Sequence, residues 1–94
     1  MAVYVMLTRL TDQGAETIKE NPERILEVDG QLEGMGLKVL HQYAVLGRYD
    51  FVNIVEAPDD LTVARVAVEL GSRGSLRIET LAAIPIQELI SGLK

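Results

Sequence analysis

His41 is the single histidine of this 94-residue chain, and the one side chain whose ordinary pKa lies near neutrality. Facing a cavity, it could act as a general base or ligate a metal supplied partly by a second subunit. The commoner place for a strand histidine is a half-buried or rim position. Arg77 and Glu79 stand two residues apart in a strand-like segment, so their side chains share a face about 7 Å apart. They read first as an ion pair, because buried charges need partners. In the alternative, Arg77 holds an anionic ligand and Glu79 accepts a proton. Tyr43 and Tyr49 offer phenol donors to a bound carbonyl, or pack at an edge with satisfied hydroxyls. Asp50 reads as a turn residue whose carboxylate caps backbone N–H groups, and Arg48 beside it reads as solvated.

Much chemistry is excluded. There is no cysteine, hence no thiolate and no disulfide, and one histidine cannot build a multi-histidine metal site within one chain. Gly34-x-Gly36 closes a helix instead of opening one, which is the wrong context for a dinucleotide loop. No P-loop, serine nucleophile elbow or two-histidine zinc motif is present. Neither a cofactor nor a metal is expected. The net charge is -5 and the nine Lys and Arg residues are scattered, which disfavours nucleic acid and anionic membranes as partners. No apolar run approaches the ~18 residues of a membrane span. Met1 to Leu7 lacks a basic flank and reads as a strand, not a signal peptide, so a cytoplasmic location is expected.

The elements that must position these groups can be read from pattern. Residues 1–94 make one small domain. Val3 to Leu10 reads as a strand, with Thr11 and Asp12 as N-cap candidates for a short helix over Gln13 to Glu20. Asn21-Pro22 breaks that helix and restarts it, with Pro22 at the first helical position. Ile25, Leu26, Val28, Leu32 and Met35 then line one helical face. Leu37 to Leu46 and Phe51 to Ala57 form an antiparallel hairpin about Gly47-Arg48-Tyr49-Asp50. A helix over Leu61 to Leu70, a strand over Ser75 to Ala83 and a terminal helix or extension over Pro85 to Leu93 complete the order β-α-β-β-α-β. This is the split arrangement of the α+β ferredoxin-like fold: a four-stranded antiparallel sheet with helices on one face.

Such a sheet leaves its second face bare, and strand parity predicts what that face carries. The purely aliphatic sets, Val3, Val5 and Leu7 with Val52 and Ile54 and with Leu76 and Ile78, are assigned against the helices. The mixed sets, Tyr4, Met6, Thr8, Phe51, Asn53, Arg77 and Glu79, are assigned to the open face, together with Leu37, Val39, His41, Tyr43 and Val45 of strand two. A ligand pocket is thus expected between sheet and partner, lined by Tyr4, Met6, His41, Tyr43, Asn53, Arg77 and Glu79. The composition asks for a partner too. A chain this short is marginal alone, yet 48 % of its residues are apolar. The helix over Leu61 to Leu70 is apolar nearly all round, where one stripe would cover a sheet. A homodimer or higher homo-oligomer is expected.

Gly47, Tyr49 and Asp50, followed by the strand and by Glu56-Ala57-Pro58-Asp59-Asp60, resemble the signature of the GYD domain family. Leu10-Thr11 with Gly14, and Asn21-Pro22-Glu23-Arg24, look like that family's first helix region; Gly71 to Gly74, and Arg77 with Glu79-Thr80-Leu81, look like its final strand. The resemblance implies a dimeric α/β barrel of ferredoxin-like fold and brings no established catalytic set. The family often carries an arginine and an aromatic after the last strand, where this chain has Ala82 and Ile84. Two function classes remain. One is a ligand-binding or assembly module without turnover, the reading favoured by one histidine, no cysteine and no second acid–base set. The other is a cofactor-independent enzyme of the barrel superfamily, acting on a small aromatic or carbonyl metabolite with His41 as base. A regulator is weaker still, for the chain is acidic and lacks a DNA-binding helix pair.

Overall fold

Four strands form one antiparallel sheet in the computed structural model, which describes residues 1–94: β1 (Ala2–Leu10), β2 (Lys38–Ala44), β3 (Phe51–Ala57) and β4 (Leu76–Ala83), ordered β2-β3-β1-β4. Helices α1 (Asp12–Glu20) and α2 (Arg24–Gly34) fill the first crossover, α3 (Asp60–Gly71) fills the second, and α4 (Ile86–Leu93) follows β4. This is the α+β, ferredoxin-like architecture that the sequence order implies.

The helix boundaries follow from capping. Thr11 Oγ1 accepts the Gly14 N–H at 3.1 Å and opens α1. Asn21 donates to the Thr17 carbonyl and ends it. The break at Asn21-Pro22 is present, but the restart comes later than expected. Pro22 and Glu23 form a turn, and α2 begins at Arg24 with no side-chain cap. Asp59 caps α3, accepting from the Thr62 N–H at 2.9 Å and the Thr62 hydroxyl at 2.7 Å. Those two bonds, and Arg65 nearby, hold its carboxyl below the usual range.

The core lies between the sheet and α2 and α3: Tyr4, Met6, Val55 and Ala57 of the sheet pack with Leu32, Leu37, Val63, Val66 and Leu70. Here the structure corrects the parity expected for β1 and β3. Tyr4, Met6 and Thr8 face the helices, and Val3, Val5 and Leu7 face away. In register, Met6 lies opposite Asn53 and Tyr4 opposite Val55, so Asn53 also points inward while Val52 and Ile54 point outward. Two of the polar groups on the inner face find partners on the helices. The Tyr4 hydroxyl donates to Asp60 at the start of α3, and Gln42 donates to Asp29 of α2 at 2.9 Å. β4 keeps its expected parity, with Leu76 and Ile78 packed on the core and Arg77 and Glu79 exposed.

Strand β2 changes parity midway. Its pairing with β3 skips one residue between Val39 and His41, leaving Leu40 unpaired. Val39, opposite Val55, therefore packs on the core, as does Leu37, whereas His41 and Tyr43 lie opposite Ile54 and Val52 on the open side. Of the five β2 residues expected on the open face, the bulge sends Leu37 and Val39 inside.

Candidate functional site

The hairpin turn that carries Gly47, Tyr49 and Asp50 is bolted across the sheet. Gly47 has φ +119°, a conformation that residues with a Cβ rarely adopt. The Asp50 carboxylate accepts the Leu10 N–H at 2.8 Å, and the Asp50 N–H donates to the Thr8 carbonyl at 2.8 Å. The turn is thereby joined to the end of β1, the strand next to β3. Tyr49 reaches one strand further, its hydroxyl donating to the Glu79 carboxylate of β4 at 3.2 Å. Asp50 is the backbone cap that the sequence indicates; the Tyr49 to Glu79 link is new.

Beside this turn lies the open face. Its centre is aliphatic: Val3, Val5 and Leu7 of β1, Val52 and Ile54 of β3, and Leu81 of β4, opposite Val5 in register. Charge stands at its two ends. At one end Lys38 is opposed to Glu56; at the other Arg9 is opposed to Arg77, with Glu79 beside Leu7. His41 and Tyr43 occupy the β2 edge, both exposed.

The pocket expected from the sequence is therefore split between two sides of one sheet. His41, Tyr43, Arg77 and Glu79 share the open face. Tyr4, Met6 and Asn53 lie on the other side, buried under the helices. The Tyr4 phenol is pushed up to about 12, first by its hydrogen bond to Asp60, then by burial and by the charges of Asp60 and Asp59. Met6 and Asn53 line a cavity of about 60 Å³ between sheet and helices, beside Asp29 and Gln42. That is far below the ~300 Å³ at which organic ligands are held. Burial pushes the Asp29 carboxyl up; the Gln42 bond opposes this and the Glu33 charge adds to it. His41 makes no side-chain hydrogen bond, and no set of three or more His, Asp or Glu side chains converges as a metal site.

Sequence reasoning missed the aliphatic centre, Arg9 and the exposed apolar stripe of α4, though it placed a helix or extension over Pro85 to Leu93. A signal for the first two was present: the set Val3, Val5, Leu7 ends in Arg9, and the set Val52, Ile54 ends in Glu56. A charge closing each aliphatic series marks it as the uncovered side. Helix α4 has no buried residue, and Ile84, Ile86, Leu89, Ile90 and Leu93 are between 40 and 78 % exposed. Ile86, Leu89, Ile90 and Leu93 form one stripe by helical spacing.

The sequence matches the GYD domain family over residues 4–93. This chain belongs to the GYD domain family. The GYD signature is thus the clamp just described: a glycine at positive φ, a tyrosine spanning to β4 and an aspartate holding β1. The chain is also similar to a protein of Thermus thermophilus, 56 % identical over 95 residues and spanning the whole of both chains. That relative is named as a glutamine synthetase and cystathionine beta-lyase binding protein. No solved structure matches the chain. No helix is long and apolar enough to cross a membrane.

Proposed function

We propose that this GYD chain is a non-catalytic assembly module: two copies pair through their open sheet faces, and the pair docks on metabolic enzymes. The aliphatic centre of the open face carries the reading. Val3, Val5, Leu7, Val52, Ile54 and Leu81 make one contiguous apolar patch on a side of the sheet that no helix covers. Large apolar patches of this kind belong against a partner, and two sheets packed face to face bury such side chains in a layer about 10 Å thick. A two-fold pair uses the same patch twice and closes without leaving an edge. The product would be the dimeric α/β barrel, with residues 1–94 as its repeating unit.

Glutamine synthetase and a cystathionine β-lyase are the first enzymes to test, because the Thermus relative is named for binding both. A cytoplasmic location accompanies that reading. Exposed α4 supports a second contact besides the sheet. It has eight residues and no side-chain N-cap, whereas isolated helices below ~12–15 residues are marginal in water. Covering its stripe would stabilise it. The rival reading, a cofactor-independent enzyme with His41 as base, gains no support from position: His41 is exposed on an edge strand and lines none of the larger hollows.

Sedimentation equilibrium at micromolar concentration tests the pairing. A species of twice 10.3 kDa or more is expected, and a 10.3 kDa monomer defeats it. Size-exclusion chromatography with purified glutamine synthetase and purified cystathionine β-lyase tests docking. Comigration with at least one is expected; separate elution from both defeats that half.

A further inference from the structure

We infer that the GYD turn and the facing ends of β1 and β4 form a binding site for a small organic dianion, a dicarboxylate or a phosphate ester. Arg9 and Arg77 are direct partners in the β1–β4 register and leave the sheet on the same face. Like charges so placed destabilise a strand pair. The other end of the face opposes Lys38 to Glu56, which is the favourable arrangement. Arg48, from the clamped turn, enters the same hollow of about 420 Å³, which Leu7, Tyr49 and Glu79 also line. That volume lies within the range of small-molecule sites.

These arginines are unspent. The ion pairs of the chain are Arg24–Glu27 and Arg73–Glu69, so Arg9, Arg48 and Arg77 each lack a carboxylate within bonding distance. Two acids of the turn and β4 are hydrogen-bonded elsewhere: Glu79 accepts from the Tyr49 phenol, and Asp50 from the Leu10 N–H. Three of the nine cationic side chains therefore converge in a chain of net charge -5. Guanidinium groups present planar forks that suit carboxylate and phosphate oxygens. An anion between Arg9 and Arg77 turns their repulsion into two attractions. A second charged end reaches Arg48, and Leu7 supplies an apolar wall for the carbon frame. All these groups belong to one chain, while Leu7 is shared with the pairing face proposed above.

Isothermal titration of the intact protein with succinate and with glycerol 3-phosphate tests the site, with acetate and chloride at matched ionic strength as controls. At least one dianion is expected to bind once per chain, and acetate at least tenfold more weakly. Arg9→Gln and Arg77→Gln are each expected to weaken binding at least tenfold. Their ligand-free Tm should equal or exceed that of the parent, since repulsion is removed. Arg48→Gln, in the exposed turn, should weaken binding as well and provides the test should either strand variant fail to fold. The proposal is overturned if neither dianion binds better than acetate, or if the folded variants bind like the parent. It is also overturned if Arg9→Gln and Arg77→Gln lower the ligand-free Tm or the sedimenting mass, for the arginines would then have partners within the protein or on a second copy. The relative strength of succinate and glycerol 3-phosphate assigns the ligand to the carboxylate or the phosphate class.

Discussion

The two faces of the sheet differ in a way that reverses a common expectation. The inner face holds Tyr4, Met6, Thr8 and Asn53, a mixed and partly polar set, and is closed by helices. The outer face holds Val3, Val5, Leu7, Val52 and Ile54, purely aliphatic at its centre, and no helix lies on it. What decides the inner side is therefore not the greatest hydrophobicity. Polar tips are admitted there, some with partners, such as Asp60 for Tyr4 and Asp29 for Gln42, and the Asn53 Oδ1 with none. Aliphatic side chains need no hydrogen-bond partner, and they suit the pairing surface proposed above.

Neighbouring residues on opposite faces give the widest test of this contrast. Val55 is fully buried on the inner side. Val55→Asp should abolish folding, seen as loss of the far-ultraviolet circular dichroism signal, because an unpaired buried charge costs several kcal/mol against a total stability of roughly 5–15 kcal/mol. Ile54→Lys, one residue away on the open face, should keep that signal and shift the sedimenting species to the 10.3 kDa monomer. If Ile54→Lys stays assembled, the open face is not the pairing surface. If Val55→Asp folds normally, the two faces are less distinct than the burial pattern says.

Helix α4 gives an intermediate effect. None of its residues is buried in the chain, so removing residues 85–94 should leave the monomer fold intact while reducing comigration with partner enzymes at least tenfold in concentration. An equal loss of folded signal would place α4 in the fold and not on its outside.

The inner polar bonds make smaller, pH-dependent contributions. Tyr4→Phe removes the bond to Asp60 and should lower Tm by roughly 5 °C near neutral pH. The Tyr4 pKa is raised in the folded state to about 12 from 10.0. Its contribution is thus fully present below pH 10 and is lost as pH rises through about 12. Alkaline titration followed by circular dichroism should show this loss in the parent and a shallower one in Tyr4→Phe. Asp59 works in the other direction. Its folded pKa is lowered from 3.8, so its contribution is present above the unfolded pKa and lost as pH falls through the folded one. Asp59→Asn keeps a capping oxygen and should flatten that acid limb, with Tm at neutral pH shifted by a few degrees at most.

The order of elements, the hairpin and the helix break were legible because turn residues and proline act locally. Arg77 and Glu79 also fixed β4 correctly, since two charges cannot share a helix-covered face without partners. β1 and β3 misled because both of their faces are largely apolar, and the signal lay in the single charges Arg9 and Glu56 that end each outward series. Three of the seven expected pocket residues went with that error: Tyr4, Met6 and Asn53 turned inside, while His41, Tyr43, Arg77 and Glu79 stayed out. The bulge at Leu40 had no sequence mark, because an unpaired residue is set by the pairing of two strands and not by its own type. The Tyr49 to Glu79 link was hidden for a similar reason; it spans 30 positions of chain across the intervening strand β1.

That bulge is a slack link in the edge strand. Deleting Leu40 would leave Val39 opposite Val55 and His41 opposite Ile54 in regular alternation, so every other side chain of β2 would keep its side. Were Leu40 instead drawn into the ladder opposite Val55, Val39 would turn outward and Lys38 inward. The rim of the sheet is thus indifferent to losing this residue and sensitive to pairing it.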